Sequence, residues 1–359
     1  MKVHQIINSY GKKIGGAESI ALNIHKHLIN NQFNSSCFGI LKCDGGIIGC
    51  ESANLKNPYS IKAFLAVKKY FENNVEDYDI VHVHLFPSTF YCSILKFFGF
   101  TKSLLVCTEH STYNRRRKLF LGKLIDFITF RNYRYIFAIS EGVKKQLGLW
   151  IPFFKEKIIV VNNGVELKNK ELIIRKKKRK KIKIVSVGRL EKSKNYSKTI
   201  QSFSKIKNLD FTWTIAGKGN LNKDLLKQIK HLNLEEKIFL VGHIDNVWEL
   251  LKNSDIFIIA SKWEGFGLAA VEAMNCSLPI IASKIDGLKD IVHSKPPCAL
   301  LIDPNDSDDI ASKISRMINS YDLRKNLGEN AFFRSKDFRF EKMLDEYLNL
   351  YRRLKKTLN

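Results

Sequence analysis

Short apolar runs alternate with stretches whose apolar residues recur every three or four positions, and this alternation continues along almost the whole chain. Residues 3–8, 38–41, 79–85, 104–107, 135–140 and 158–164 read as strands in the first half. Residues 182–188, 211–216, 238–242, 255–260, 279–282 and 300–302 read so in the second. Runs such as Ile256-Phe257-Ile258-Ile259 have the length and β-branching of strands buried on both faces of a parallel sheet. Between them, helical spacing predicts helices from residue 17 to about 30, then 61–73, a buried helix within 85–100, and 141–149. Further helices are predicted from about 195 and over 247–252, 268–275, 306–319, 322–331 and 341–356. Residues 43–57, rich in glycine and asparagine, fit no element and are read as loop. Strands alternating with helices predict an α/β chain built from two doubly wound sheets.

The turns that punctuate this pattern carry the chemistry. The stretch 261–287 runs from strand 255–260 through Glu264 and Gly265-Phe266-Gly267 into helix 268–275, then strand 279–282. A glycine-rich strand-to-helix turn leaves backbone N–H groups unpaired where the helix dipole favours anions. Glu264 stands at the helix entrance and Glu272 inside it, eight positions on, so two carboxylates flank an anion site and can accept hydrogen bonds from hydroxyls. Phosphate together with a polyol is what a nucleotide sugar presents. Gly15-Gly16 repeats the logic after the first strand, where a paired glycine lets backbone approach a ligand closely. Strand 104–107 delivers Thr108-Glu109-His110 to its carboxyl end, where open α/β sheets bind ligands. Strand 79–85 carries His82 and His84 on one face; they are read either as a metal pair lacking a third ligand or as buried strand residues.

These pieces resemble, in order along nearly the whole chain, the retaining glycosyltransferases of family 4, marked by an E-x7-E motif at Glu264 and Glu272. The resemblance implies the GT-B fold, two Rossmann-like domains facing each other across a cleft. It divides the chain into an acceptor-binding domain at 1–167, a basic linker at 168–181, a nucleotide-sugar-binding domain at 182–338 and a terminal helix at 339–359 that crosses back to the first domain. Arg189 and Lys194 match the family's Gly-Arg-Leu…Lys pattern, an arginine fork and a lysine point charge suited to a diphosphate. By the same resemblance Gly217 and Gly219 lie under the nucleotide and His243 meets the base through its main chain. The N–H groups of Phe266, Gly267 and Leu268 position the donor, Glu272 holds the ribose and Glu264 the sugar. Gly15, Gly16 and His110 line the donor and acceptor side. Asn163-Gly164-Val165 matches a further element, with Glu166 where aspartate is usual.

Composition changes the picture in three places. Lysine and arginine number 60 against 35 aspartates and glutamates, a net charge of +25, so the surface attracts polyanions unless the bias is compositional. Residues 111–135 hold seven basic residues against Asp126, interleaved with Leu119, Leu121, Leu124, Ile125, Phe127, Ile128 and Phe130. They are read either as a helix that lies on an anionic membrane or as one whose apolar residues pack on the sheet. Residues 168–183, a Lys/Arg run with Glu171 its one acid, are read as a solvated hinge rather than a nucleic-acid patch. Seven cysteines show no metal-ligand spacing, which predicts reduced thiols in a cytoplasm. No signal peptide and no membrane-spanning run are read.

The expected reaction is transfer from a nucleotide-diphosphate sugar, a UDP-sugar foremost, to a hydroxyl of a glycan or an undecaprenyl-diphosphate-linked acceptor, in bacterial surface polysaccharide synthesis at the inner face of the cytoplasmic membrane. No Asp-x-Asp stands at a strand end, so neither metal nor other cofactor is expected, and no recognition signature for nucleic acid is present. The alternatives are another GT-B enzyme such as a nucleotide-sugar epimerase, or a polyanion-binding protein without activity.

Overall fold

The structure, a computed structural model, describes residues 2–10, 16–43, 46–175 and 181–356. The chain forms two compact units, Met1–Asn162 with Glu341–Asn359, and Asn163–Phe340.

The first unit runs β1 (Val3–Ile7), α1 (Gly16–Asn30), β2 (Ser35–Leu41), β3 (Cys50–Leu55), α2 (Ile61–Asn74), β4 (Ile80–His84), α3 (Ser88–Phe97), β5 (Leu104–Glu109), α4 (Gly122–Arg131), β6 (Tyr135–Ala138), α5 (Glu141–Trp150) and β7 (Ile158–Val160). Its seven strands pair in parallel in the order β3-β2-β1-β4-β5-β6-β7. The order reverses between β1 and β4, and a doubly wound sheet binds ligands beyond its strand ends at that point. β1 and β4 are buried throughout, as strands covered by helices on both faces must be. Helices start where side chains cap them: the Oγ of Ser60 accepts from the Ala63 N–H, and that of Ser140 from the Val143 N–H.

The sequence reading placed a loop over 43–57, whereas β3 occupies its second half as the sheet's edge strand. Its residues, CESANL, are mostly half-exposed and polar, so neither hydrophobic alternation nor an apolar run announces the strand; pairing with β2 supplies it.

The second unit runs β8 (Ile182–Val187), α6 (Tyr196–Ser204), β9 (Phe211–Ala216), α7 (Asn222–His231), β10 (Ile238–Gly242), α8 (Val247–Lys252), β11 (Ile256–Ile259), α9 (Leu268–Asn275), β12 (Ile280–Ser283), α10 (Lys289–Val292), β13 (Ala299–Ile302), α11 (Ser307–Asn319) and α12 (Tyr321–Ser335). Its six parallel strands lie in the order β10-β9-β8-β11-β12-β13, reversing between β8 and β11. Trp213 anchors the core, stacked on Phe203 at 4.6 Å, and its indole N–H donates to the Ser186 hydroxyl, which donates to the Ile258 carbonyl. That chain of bonds ties β9, β8 and β11 together beneath the switch point.

The stretch read as a solvated hinge is, over its described residues 168–175, fastened to this unit. Arg175 donates to the carbonyls of Ser254, Cys276 and Ser277 at 2.6–2.8 Å, and Asn169 exchanges hydrogen bonds with Asn275. A guanidinium fork satisfies three carbonyls at once, an outcome that charge density in the sequence does not reveal. Residues 176–180, the densest part of the basic run, lie outside the described residues.

The last helix, α13 (Phe340–Lys356), packs Tyr347, Leu348 and Tyr351 into the first unit. Among the described residues no helix is long and apolar enough to cross a membrane.

Candidate functional site

In the second unit, loops leaving β8 and β11 meet beside the switch point. Lys194, after β8, places its ammonium 2.5 Å from Oε2 of Glu264, after β11, and both side chains are about four-fifths buried, at 19% exposure each. The Ser261 hydroxyl donates to the same Oε2 at 3.3 Å. Arg189, on the same loop as Lys194, is 79% exposed and pairs with Glu191 at 3.2 Å. Sequence analysis gave Lys194 to phosphate and Glu264 to sugar; they hold each other in this structure, with Arg189 turned to solvent beside them.

Glycines shape this surface through their missing Cβ atoms. A Cβ on Gly217 would stand 1.9 Å from the Gly188 carbonyl oxygen, and one on Gly219 would stand 2.3 Å from that of Leu190. The Gly217–Gly219 turn therefore seats the backbone that carries Arg189, a structural duty that a nucleotide contact does not explain. Gly267 caps α9 with φ of 94°, in the left-handed region that favours glycine, and offers no side-chain acceptor, so the first-turn N–H groups of α9 are not side-chain capped. Gly287, missed by sequence reasoning, also has a left-handed φ of 88°, and a Cβ there would lie 2.2 Å from the Glu264 carbonyl oxygen. A glycine after an aspartate in a loop reads as an ordinary turn; only the fold reveals that it supports the Glu264 backbone.

The remaining second-unit residues divide. Phe266 is buried edge-on against Phe338 at 5.5 Å, so its ring is core and only its backbone is available to a ligand, while Leu268 opens α9 half-buried. Glu272 sits one turn into α9; burial pushes its carboxyl up to about 7, and Lys168 pulls the other way. His243 follows edge strand β10, two strands from β8, and pairs weakly with exposed Asp245 at 3.3 Å.

In the first unit, His110 lies just past β5 and is held by a buried relay. His84 Nε2 is 2.9 Å from Oε1 of the Gln5 side-chain amide, which can only accept, so His84 donates there and its Nδ1 accepts from His110 Nε2 at 3.2 Å. The Gln5 side-chain amide donates to the Tyr351 hydroxyl, which shares a hydrogen bond with His82 Nδ1 at 2.6 Å, and His82 Nε2 shares one with the Thr108 hydroxyl at 2.7 Å. His110 is thereby fixed as the Nε2–H tautomer with the lone pair on Nδ1, and burial holds it neutral, with its pKa lowered to about 3. His82 and His84 are likewise lowered well below the ordinary value by burial, which resolves their reading in favour of buried strand residues. Gly16 opens α1 exposed; Gly15 lies outside the described residues.

Sequence reasoning also missed the polar centre beside His110. Glu109 is largely withdrawn from solvent, at 13% side-chain exposure, which raises its carboxyl, and Arg117 lies 3.9 Å from it with Nε and Nη2 buried and without hydrogen-bond partners. Arg116 and the Trp150 indole both donate to Asp126. Two residues of the basic run thus point inward, while Leu119, Phe120, Leu121, Leu124 and Phe127 are exposed, Phe120 by 98%. The reading in which the apolar residues of 111–135 pack on the sheet holds only for some of them: α4 buries Phe130, with Gly122, Asp126 and Thr129, while Leu124 and Phe127 face outward.

Comparison with known proteins agrees with both halves. The model for glycosyltransferase family 4 matches residues 14–169 and that for glycosyl transferases group 1 matches residues 168–334. An uncharacterised glycosyltransferase of Methanocaldococcus jannaschii, MJ1178, is 31% identical over 304 residues, covering 82% of this chain and 81% of its own. The N-acetylgalactosamine-N,N'-diacetylbacillosaminyl-diphospho-undecaprenol 4-alpha-N-acetylgalactosaminyltransferase of Campylobacter jejuni is 25% identical over 353 residues, covering 92% and 94%. Among solved structures, Anabaena Alr3699/HepE in complex with UDP superposes with a TM-score of 0.80 at 19% identity, covering 98% of this chain and 99% of its own, a likeness of fold. With two parallel-sheet α/β units of the GT-B fold, a matching model over each half and a relative aligned over four-fifths of its length, the chain belongs to the group 1, family 4 glycosyltransferases.

Proposed function

We propose that the protein is a retaining glycosyltransferase that moves a sugar from a nucleotide-diphosphate sugar, a UDP-sugar, to a hydroxyl of a glycan or undecaprenyl-diphosphate-linked acceptor in bacterial surface polysaccharide synthesis. The observation that carries this reading is the Lys194–Glu264 pair beside the β8/β11 switch point, next to an α9 start without a side-chain cap. Departure of the diphosphate builds negative charge on its outer phosphate. Lys194 and the exposed Arg189 offer cations for that charge, and the N–H groups at the start of α9 offer donors fixed before the reaction begins. Glu264 grips sugar hydroxyls while Lys194 is shared between it and the phosphate; Glu272 takes the ribose. The acceptor hydroxyl attacks from the face the diphosphate leaves, and its proton passes to a phosphate oxygen. The step needs no divalent metal, so turnover is expected to persist in EDTA.

The first unit serves the acceptor. His110 supplies a neutral imidazole, and Arg117, beside Glu109, carries buried N–H groups without a hydrogen-bond partner, an anion-binding capacity suited to an acceptor bearing a diphosphate. The exposed Leu119–Leu121 segment and the outward residues of α4, flanked by Lys118, Lys123 and Arg131, suit an anionic membrane surface where a lipid-linked acceptor resides. The Campylobacter relative, named for a diphospho-undecaprenol acceptor, and the UDP held by HepE support these choices of acceptor and donor.

Thermal-shift screening against UDP-, GDP- and ADP-sugars tests the reading. A ligand at 100 times its Kd adds about 2.7 kcal/mol of stability. A UDP-sugar is expected to raise the melting temperature most; a flat response to the whole panel would contradict a donor site.

A further inference from the structure

The first unit contains a thiol cluster that glycosyl transfer does not use. β3 pairs with β2 in parallel, with Cys37 and Cys50 directly opposite. Neighbouring strands lie about 4.8 Å apart, inside the roughly 4.4–6.8 Å Cα separation that a disulfide spans. The Cys37 thiol is fully buried, and Cys50, its register partner, is half-buried on the edge strand and packs in the same cluster. Cys43 is the third member: its sulfur accepts from the Tyr10 N–H at 3.3 Å and donates to the Leu41 carbonyl at 3.1 Å. All three pack with Ile7, Tyr10, Ala21 and Ile47.

His25 of α1 completes the setting. Its Nδ1 lies 2.9 Å from the Ser35 hydroxyl and its Nε2 lies 2.8 Å from the Ile48 carbonyl, so both ring nitrogens can donate and an imidazolium is accommodated beside Cys50. The approach depends on Gly49, whose φ is 71° and whose Cβ would stand 3.1 Å from the imidazole Cε1. Lys26 adds a second cation near Cys50, and Glu51 is its neighbour in sequence. The neighbouring Cys37 thiol, with help from His25 and Lys26, holds the Cys50 thiol below its ordinary value, whereas burial raises Cys92, Cys107, Cys276 and Cys298.

We propose that Cys50 is a peroxide-reactive thiolate and Cys37 its resolving partner, so that hydroperoxide oxidation closes a disulfide between β2 and β3. The Cys50 thiolate attacks the peroxide O–O bond, giving Cys50 sulfenic acid and, with hydrogen peroxide, one water. The Cys37 sulfur then attacks the sulfenic sulfur, the S–S bond forms, and the hydroxyl leaves as a second water with the Cys37 proton. Two thiols and one H2O2 yield one disulfide and two waters; the thiols lose two electrons and the peroxide gains them. A thiol reductant reverses the change.

The test is peptide mapping of the full chain after treatment with equimolar H2O2 and alkylation of remaining thiols in denaturant. Trypsin separates residues 27–42, which hold Cys37, from 43–56, which hold Cys43 and Cys50. The expected product is 27–42 joined to 43–56 through Cys50, retained in Cys43→Ser, lost in Cys50→Ser, and replaced in Cys37→Ser by a dimedone-trapped Cys50 sulfenic acid. In untreated wild type, alkylation of Cys50 should reach its plateau at a lower pH than that of Cys92, Cys107, Cys276 and Cys298, whose thiols burial raises. A link through Cys43, no link at all, or a Cys50 whose alkylation follows the same pH profile as the other cysteines would overturn the proposal, and the wild-type measurements decide it even if a variant misfolds.

Discussion

The Lys194 ammonium sits 2.5 Å from Glu264 Oε2, two residues 70 positions apart brought together where β8 and β11 end. Each side chain is about one-fifth exposed, so each helps to hold the other in place. Removing either leaves the partner misplaced as well as uncompensated. Lys194→Ala and Glu264→Gln are each expected to lower kcat by roughly 10²–10³-fold, the usual cost of one preorganised charge-stabilising group. The double variant should lose far less than the product of the two. Steady-state kinetics on the four proteins of the cycle checks this; strictly multiplicative losses would mean that the two side chains act separately.

Glu272 gives a pH signature. Its folded pKa is raised from 4.5 to about 7 by burial. The folded state therefore binds more protons than the unfolded chain between these values, and the group's contribution to stability, full below pH 4.5, is lost as pH rises through 7. Glu272→Gln should remove that decline, seen as a flatter melting-temperature profile between pH 5 and 8. If the carboxylate grips ribose, donor affinity in wild type should strengthen across the same interval and the variant should lack the step.

The histidine relay has the opposite sign. His82, His84 and His110 are held neutral by burial, with pKa values lowered from 6.5. The unfolded chain takes up protons that the folded unit refuses, so stability falls as pH drops below 6.5, by up to about 1.4 kcal/mol per pH unit for each of the buried pair His82 and His84. His25, whose pKa is raised, offsets part of this. Chemical denaturation at pH 7.5, 6.5 and 5.5, followed by the tyrosines of the first unit, should show it unfolding at progressively lower denaturant. An unchanged midpoint would count against neutral buried imidazoles.

Much of this was legible in the sequence, and the part that was not has a common cause. α9, read over residues 268–275 from its glycine turn and apolar spacing, spans Leu268–Asn275 in the structure. Strands buried on both faces, such as IFII at β11, announce themselves locally. What stayed hidden depends on partners distant in sequence. Gln5 meets Tyr351 across 346 positions, Gly217 fits against Gly188, and Gly287 against Glu264. The polar edge strand β3 is recognisable only from its pairing with β2. In 111–135 the apolar residues were visible, but their outward direction was not, because Asp126 turns inward to meet Arg116 and Trp150.

That outward face yields a prediction of its own. Phe120 and Leu124 are 98% and 55% exposed, so replacing both with serine should change folding stability by no more than about 0.5 kcal/mol. If they insert into a membrane, the loss of two apolar side chains should weaken binding to anionic phospholipid vesicles by more than about tenfold. Vesicle co-sedimentation at physiological salt checks it; equal sedimentation of the two proteins would exclude this face as the anchor.

Calorimetric titration of UDP into the wild-type protein and into Lys194→Ala tests most directly whether the second unit grips a nucleotide diphosphate. Saturable one-to-one binding to wild type, weakened at least about tenfold in the variant, is the expected result. Equal affinity for both, or no heat of binding with either, would contradict the assignment of this cationic loop to the donor.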